Sequence, residues 1–594
     1  MMGTGNKEMH PLLISIANIH AGTRMKATSH AYALVAYLPI PKFRDVSPAV
    51  QAILSARVFH RAVSLVMQNL KMACKNGEVM SDPNGHLRVV HTPLVTWIAD
   101  YPEQLLIACT SSRNSPISTA TAERFGDPTP APPRLRQQTL DAIKQACTAC
   151  DPCDNIAAFH KVCLVLRLSG VVQPFWEDWG DACPSRFLTP DALHAWHKFF
   201  FDHCVHWVIN IMGGEELDRR LSVLQPRVGT RNWPDGISKL KQTGGQDHRE
   251  IERLLAVVAA GAIPGDVLCA ICAITEFIFL AQSAFHCDET LHALSEALRE
   301  FHHYKPAILA AGGRRGKRGP LDHFQIPKLE LAQHVSRSTR AMGAPYQWSS
   351  DITKRCHITH VKNPYRLSNR RDFHSQCCRF LDRQEKQRLF HLFTTLKTAG
   401  ASLINEMAYE ADLMQLHYPE LTWMSTVSPD PDEHLMGQVA PSKSVFNNPR
   451  SRISSDRTTA LLLTIQPRFP GLSIDDACHT LSIAGFREAL GDFFSGHSYT
   501  ARNGHRLATP NCTLPFSHIH AWDKFHIQQR SVQNPLSLRP AQTVQALPPS
   551  PALPPGRANT ILISHESGDL ISAESNQRAC SKFHWFPSLI SIFL

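Results

Sequence analysis

The chain has 594 residues, 43% of them hydrophobic and 19% charged, which is too long for a single hydrophobic core and too apolar for disorder throughout. Lys and Arg outnumber Asp and Glu by 61 to 51, a net charge of +10 with a pI near 8.9, which suits a polyanionic partner without establishing one. The 17 cysteines follow no short-domain disulfide framework, and residues 1–30 lack a basic segment leading into an apolar run, so the expected location is nuclear or cytoplasmic.

Pro11 to Ile19 and Ala31 to Ile40 are short apolar runs bounded by polar, Gly or Pro residues and read as neighbouring strands. Between Ser47 and Met72, the stride Val50, Leu54, Val58, Ala62, Val66 and Leu70 predicts a long helix with one stripe against a sheet. The turn SDPNG at 81–85 then leads into HTPLVTWIAD, an apolar strand ending on Asp100 before Tyr101-Pro102-Glu103. An acid at that point has two readings: a side chain that bonds the backbone of the turn, or a carboxylate ligand for a divalent cation on a rigid strand end.

The stretch 127–158 reads as a polar linker and 159–311 as a mainly helical block. Within them, Cys147, Cys150 and Cys153 stand at three-residue steps ahead of His160 and Cys163, but two CxxC steps sharing one cysteine miss the usual paired zinc spacing, so zinc is not expected. Thr189-Pro190-Asp191 caps a helix whose Leu193, Trp196, Phe200, Cys204 and Trp207 share a face. The histidines at 194, 197, 203 and 206 read as packing, although His203 and His206 are spaced as ligands. Pro264-Gly265-Asp266 and Glu276 break the apolar stretch 254–281 into two core helices rather than a membrane span, and no membrane role is expected. Glu250, near the start of an apolar helix after Gly244-Gly245, is explained equally by the helix dipole or by a metal site.

GGRRGKRG at 312–319 is a basic loop, and the stretch 312–421 is basic and mixed α/β. Lys362, Arg366, Arg370, Arg371, Arg379 and Arg383 alternate with aromatics, as a phosphate-neutralising surface or a solvated face would require. Residues 422–457 form a connector, 458–533 a small α/β unit with the strand ALLLTIQ and the helix start SIDDA, and 534–594 a Pro-rich and irregular tail. Zincin, α/β-hydrolase, Walker and dinucleotide-loop motifs are absent.

Several of these segments, among them GNKEMHPLLISIANI, SDPNGHLRVVHTPLVTWIADYPEQLLIAC, SRFLTPDALHAWHKFFFDHCVHW, GISKLKQTGGQDHREIERLLAVVAAGAIP and SIDDA, together resemble the Plavaka-type transposases of fungal mobile elements, in the Kyakuja-Dileera-Zisupton group. The part from about residue 320 resembles the C-terminal domain of unknown function that accompanies them. The resemblance implies a ribonuclease H-like domain with three acidic ligands, a helical insertion before the last acid, and Mg-dependent DNA cleavage and joining. By position, Asp100 matches the acid ending the fourth strand and Glu250 the acid after the insertion, the pair that would hold Mg if the set were complete.

Relatives carry the first acid one strand before MHPLLISIANI, where this chain begins; Ser111 to Asn114 replace their paired cysteines, and the ending SKFHWFPSLISIFL resembles nothing in them. The expected fold is α/β plus α: an incomplete ribonuclease H-like domain at 1–126, the linker, the helical insertion, and a C-terminal α/β region from 312. The expected function is a transposase-derived protein without cleavage activity that retains DNA binding. A truncated gene model of an active Mg-dependent transposase and a structural protein without a nucleic-acid partner are the alternatives.

Overall fold

The computed structural model describes residues 2–4, 7–26, 29–81, 87–224, 231–240, 243–398, 444–454, 456–481, 485–494, 507–533, 538–547, 557–558 and 592–593. The tip of the turn at 81–85, most of the connector 422–457 and most of the Pro-rich tail lie outside them. The chain is mixed α/β with many helices and small sheets, and it divides into two units, residues 1–214 with 241–429 and residues 215–240 with 430–594.

The first unit opens with an antiparallel sheet in the order Met2–Thr4, Lys7–Ile14, Ala33–Leu38. The first predicted strand therefore lies earlier than the apolar run suggests. Beyond Ile14 the chain turns: Ile16 is 63% exposed, and Arg24 donates from Nη1 to the Ala17 carbonyl at 2.9 Å.

Ser47 accepts the Val50 N–H and Pro48 occupies the first turn, starting the helix Pro48–Val66. Its buried side chains are Ile53, Ala56, Phe59, His60 and Val63, not the predicted four-residue stride. Four residues exceed one 3.6-residue turn, so a strict stride drifts around the helix and carries Val66 out to solvent. This is the described helix long and apolar enough to cross a membrane by length and composition, and it buries Phe59, His60 and Val63 in the protein. The helix Gln68–Asn76 follows, closed by Gly77 at φ 75°. A hairpin of Glu78–Ser81 with Leu87–Val90 comes next.

The strand expected at 91–99 reduces to one parallel bridge, Trp97 to Leu188, with the Trp97 N–H on the Phe187 carbonyl at 2.8 Å. Pro93 has no N–H to give, and the partner chain has only just left the helical turn Pro184–Phe187, which leaves little extended backbone to pair. The predicted linker is also structured: helices Arg136–Ala149 and Ile156–Val165 form an antiparallel hairpin. Thr139, Ile143 and Ala146 supply the first helix's buried stripe, a signal masked by the surrounding Pro and Cys residues.

The two core helices expected within 254–281 form as Gly245–Ala259 and Gly265–Ala281, and Asp288–Tyr304 packs against the second. Trp196 sits in the interior with Phe277 and Trp348 each 6.3 Å from it, ring centre to ring centre. From residue 327 to 398 the chain is helical rather than mixed: Pro327–Ala332, Val335–Met342, Ser350–His357, Asn363–Leu367 and Phe373–Thr398. A core of Met9, Val361, Tyr365, Phe373 and Cys377, with Tyr37 against it, fastens the last of these helices to the amino-terminal sheet.

In the second unit, five strands pair antiparallel in the order Arg557–Ala558, Gln542–Leu547, Lys524–Gln529, Thr459–Leu463, Arg452–Ile453. The predicted strand at ALLLTIQ and helix at SIDDA both form; Ser473 caps the helix Ile474–Thr480 through the Asp476 N–H. Gln542–Leu547, within the predicted tail, is a strand of this sheet.

Candidate nucleic-acid interface and carboxylate sites

Asp100 stands at the N-terminus of the helix Tyr101–Ile107, where its Oδ1 accepts the Glu103 N–H at 3.1 Å. One turn on, the buried Gln104 amide donates to the Ala99 carbonyl at 2.9 Å and the Thr189 carbonyl at 2.8 Å, tying two chain segments together beside that cap. Asp100 thus does the work of a capping residue, the simpler of its two readings. Glu250 is buried in the helix Gly245–Ala259, and its Oε1 accepts from Arg253 Nη1 at 3.1 Å. Its Oε2 is buried with no hydrogen-bond partner among the described residues. No group of three His, Cys, Asp or Glu side chains among the described residues is placed to hold a metal ion.

Sequence reasoning missed the acids that pair with the histidines. His194 and His197 lie on a π-helical turn, Leu193–His197, and each meets a buried carboxylate. His194 Nδ1 bonds Asp191, and its Nε2 accepts from Lys354 Nζ at 3.1 Å. Asp191 also accepts the Ser350 N–H at 2.7 Å and the Ser350 hydroxyl at 2.9 Å. Burial alone would raise the Asp191 carboxyl, but the His194 contact and the Ser350 donors hold it below the ordinary carboxylate range.

His197 donates from Nδ1 to both oxygens of Glu252 at 2.9 Å, and its Nε2 accepts from Arg249 Nε at 3.3 Å. Arg249 continues to Asp351 at 2.5 Å. The other two histidines point elsewhere. Burial lowers His203 to about 3 and it packs on Phe199 and Trp207, while His206 Nδ1 bonds the Phe201 carbonyl at 3.1 Å. Another buried acid, Glu330, accepts from Ser115 at 2.7 Å, Ser118 at 2.5 Å and His334 at 2.7 Å. These acids join segments far apart in sequence, and no local motif signals them.

The basic stretch is arranged differently. Arg366, Arg370, Arg371, Arg379 and Arg383 are exposed and Lys362 is half-buried. Among the described residues none of the six forms an ion pair. Between the helices Asn363–Leu367 and Phe373–Thr398, Arg370 and Asp372 adopt left-handed backbone, φ 64° and 43°. Side chains hold that loop in place. The Asn369 N–H donates to Gln376 Oε1 at 3.1 Å, Gln376 Nε2 donates to Asn369 Oδ1 at 2.7 Å and to the Arg371 carbonyl at 2.5 Å, and the Arg370 N–H donates to the Ser368 hydroxyl at 3.2 Å. Two free guanidinium groups are presented on a braced turn, and Tyr37, donating to the His360 carbonyl at 2.6 Å, ties the segment before it to the amino-terminal sheet.

That sheet lies in the segment, residues 1–208, that matches the family model described as Plavaka transposase. Residues 436–569 match a domain of unknown function, DUF6830. No curated protein and no solved structure matches the chain.

Proposed function

We propose that this is a transposase-derived protein, descended from a ribonuclease H-like catalytic domain, that binds duplex DNA through residues 362–383. The observation that carries the reading is the braced loop at 368–372, whose Arg370 and Arg371 are exposed and without ion pairs among the described residues. Cations that no protein acid neutralises are available to phosphates, and holding their backbone in advance lowers the entropy cost of contact. The left-handed Arg370 and Asp372 add backbone strain, a feature that concentrates at functional sites.

The reading assigns no strand cleavage to Asp100 and Glu250. Asp100 bonds the backbone of the helix it caps and Glu250 pairs with Arg253, contacts that support a structural role for each. Mg- or Mn-supported nicking of duplex DNA by the purified chain, lost in Asp100→Ala, would overturn that part.

Arginine-selective labelling with phenylglyoxal, read by mass spectrometry with and without a mixed-sequence duplex, tests the binding surface. Protection centred on Arg366, Arg370, Arg371, Arg379 and Arg383 is expected. Equal labelling of these residues under conditions that retain the duplex, or no retention at low salt, would remove the reading.

A further inference from the structure

The basic loop at 312–319 folds as a small hairpin, Arg315–Gly316 paired antiparallel with Gly319–Pro320. Gly316 faces Gly319, so Lys317 and Arg318 alone make the connection, the shortest common hairpin turn. Gly319 leaves that turn at φ 133°, backbone that side chains with a Cβ rarely adopt. The base of the hairpin is fastened to the interior. Asn210 Nδ2 donates to the Gly313 carbonyl at 2.8 Å, the Leu321 N–H donates to the Arg314 carbonyl at 2.9 Å, and Arg314 Nε donates to the His323 carbonyl at 3.4 Å. Gly313 packs so closely that a Cβ there would stand 2.8 Å from the Ile211 side chain and 3.0 Å from that of Ile308.

Arg315, Lys317 and Arg318 are exposed. Arg315 donates from Nε back to the Gly312 carbonyl at 3.1 Å, which leaves Lys317 and Arg318 as the cations of the tip. Among the described residues none of the three forms an ion pair, with Asp322 only two residues beyond the hairpin. The tip is also slender. Paired strands lie about 4.8 Å apart, and with glycine facing glycine no side chain widens the last pair. The minor groove of B-DNA is about 6 Å wide, so a tip of this girth reaches its mouth and the long Lys and Arg side chains reach inside. The turn has no Asn, Gln, Asp or Glu to read adenine or cytosine edges in the major groove, whereas a cation in the minor groove responds to the narrowness and raised negative potential of A·T tracts.

We propose, resting on the duplex-binding reading above, that the hairpin 315–320 is a second DNA contact, separate from residues 362–383, which places Lys317 and Arg318 in the minor groove and gives the protein a preference for A·T tracts. The stretch 362–383 supplies phosphate contacts that are indifferent to sequence; the hairpin supplies the discrimination.

The test uses fluorescence anisotropy on the full chain with two duplexes of equal length, one with a central A-tract and one of alternating G·C. Tighter binding to the A-tract duplex is expected, with the excess removed by netropsin, a ligand that fills the A·T minor groove. Lys317→Gln with Arg318→Gln is expected to bind both duplexes alike; both residues are exposed, so this variant should keep the wild-type circular dichroism spectrum and thermal midpoint. Arg370→Gln with Arg371→Gln is expected to weaken both complexes and keep the preference. Equal binding of the two duplexes by the wild type, or a preference that survives the hairpin variant or netropsin, would overturn the role of the hairpin and leave the 362–383 surface standing. Failure to retain either duplex at low salt would remove both.

Discussion

Two polar regions of the first unit are built on opposite terms. Around residues 191–197, 245–259 and 350–357, acids, histidines and cations close on one another: Asp191 with His194, Glu252 with His197, Arg249 with Asp351. Along residues 362–383 the six named cations form no ion pair among the described residues and are mostly exposed; Asp382 pairs instead with Lys386. Burying a charge is costly unless a partner answers it, so the first region spends its polar groups on holding the fold. The second leaves its charge exposed, where the proposed duplex would meet it.

The comparison breaks most visibly if interior acids prove dispensable. Glu330→Ala removes the acceptor shared by Ser115, Ser118 and His334, and a loss of about 3–5 kcal/mol is expected in denaturant unfolding, as for breaking a buried pair. A variant within experimental error of the wild type would show that the buried network is ornamental.

Acid sharpens the same point. His60 is buried, donates from Nε2 to the Leu106 carbonyl at 2.9 Å, accepts the Phe175 N–H at 3.1 Å, and is lowered by burial to about 4. Its folded value lies below the ordinary 6.5, so the unfolded chain takes up the proton first. The stability this neutral ring contributes is fully present above about 6.5 and lost as pH falls from there towards 4. His203, His248, His302 and His357 are lowered for the same leading reason, burial, and add to the effect. Thermal unfolding from pH 7 to pH 4 is expected to show a falling midpoint, and a flat profile would contradict the assignment of these rings as neutral.

Asp100 tests the boundary between the two kinds of region. As a cap, Asp100→Ala is expected to cost about 1 kcal/mol, while Asp100→Asn recovers most of it. A variant insensitive to both changes would detach Asp100 from the helix it caps. The smallest stability change belongs to the exposed stretch: Arg370→Gln with Arg371→Gln is expected to stay within about 0.5 kcal/mol of the wild type.

What the sequence made legible was local. Pro264-Gly265-Asp266 marks the break between two core helices, and SIDDA announces its capped helix, because those signals sit within a few residues of their effect. The strand expected at 91–99 shrinks to one bridge because an apolar run says nothing about whether its partner backbone is extended. The histidines at 194 and 197 read as helix packing; Asp191 lies only three residues before His194, but Glu252 is 55 residues from His197 and Ser350 is 159 from Asp191, separations that carry no periodic signal. The basic stretch was readable as composition. Its bracing by Gln376 and its attachment to the amino-terminal sheet depend on folding that composition does not encode.

The central claim rests on the unpaired arginines, and the salt dependence of duplex binding addresses it most directly. With fluorescence anisotropy on the full chain, Arg370→Gln with Arg371→Gln is predicted to flatten the slope of log K against log salt by about 2, as losing two phosphate contacts requires. An unchanged slope at unchanged affinity would contradict it.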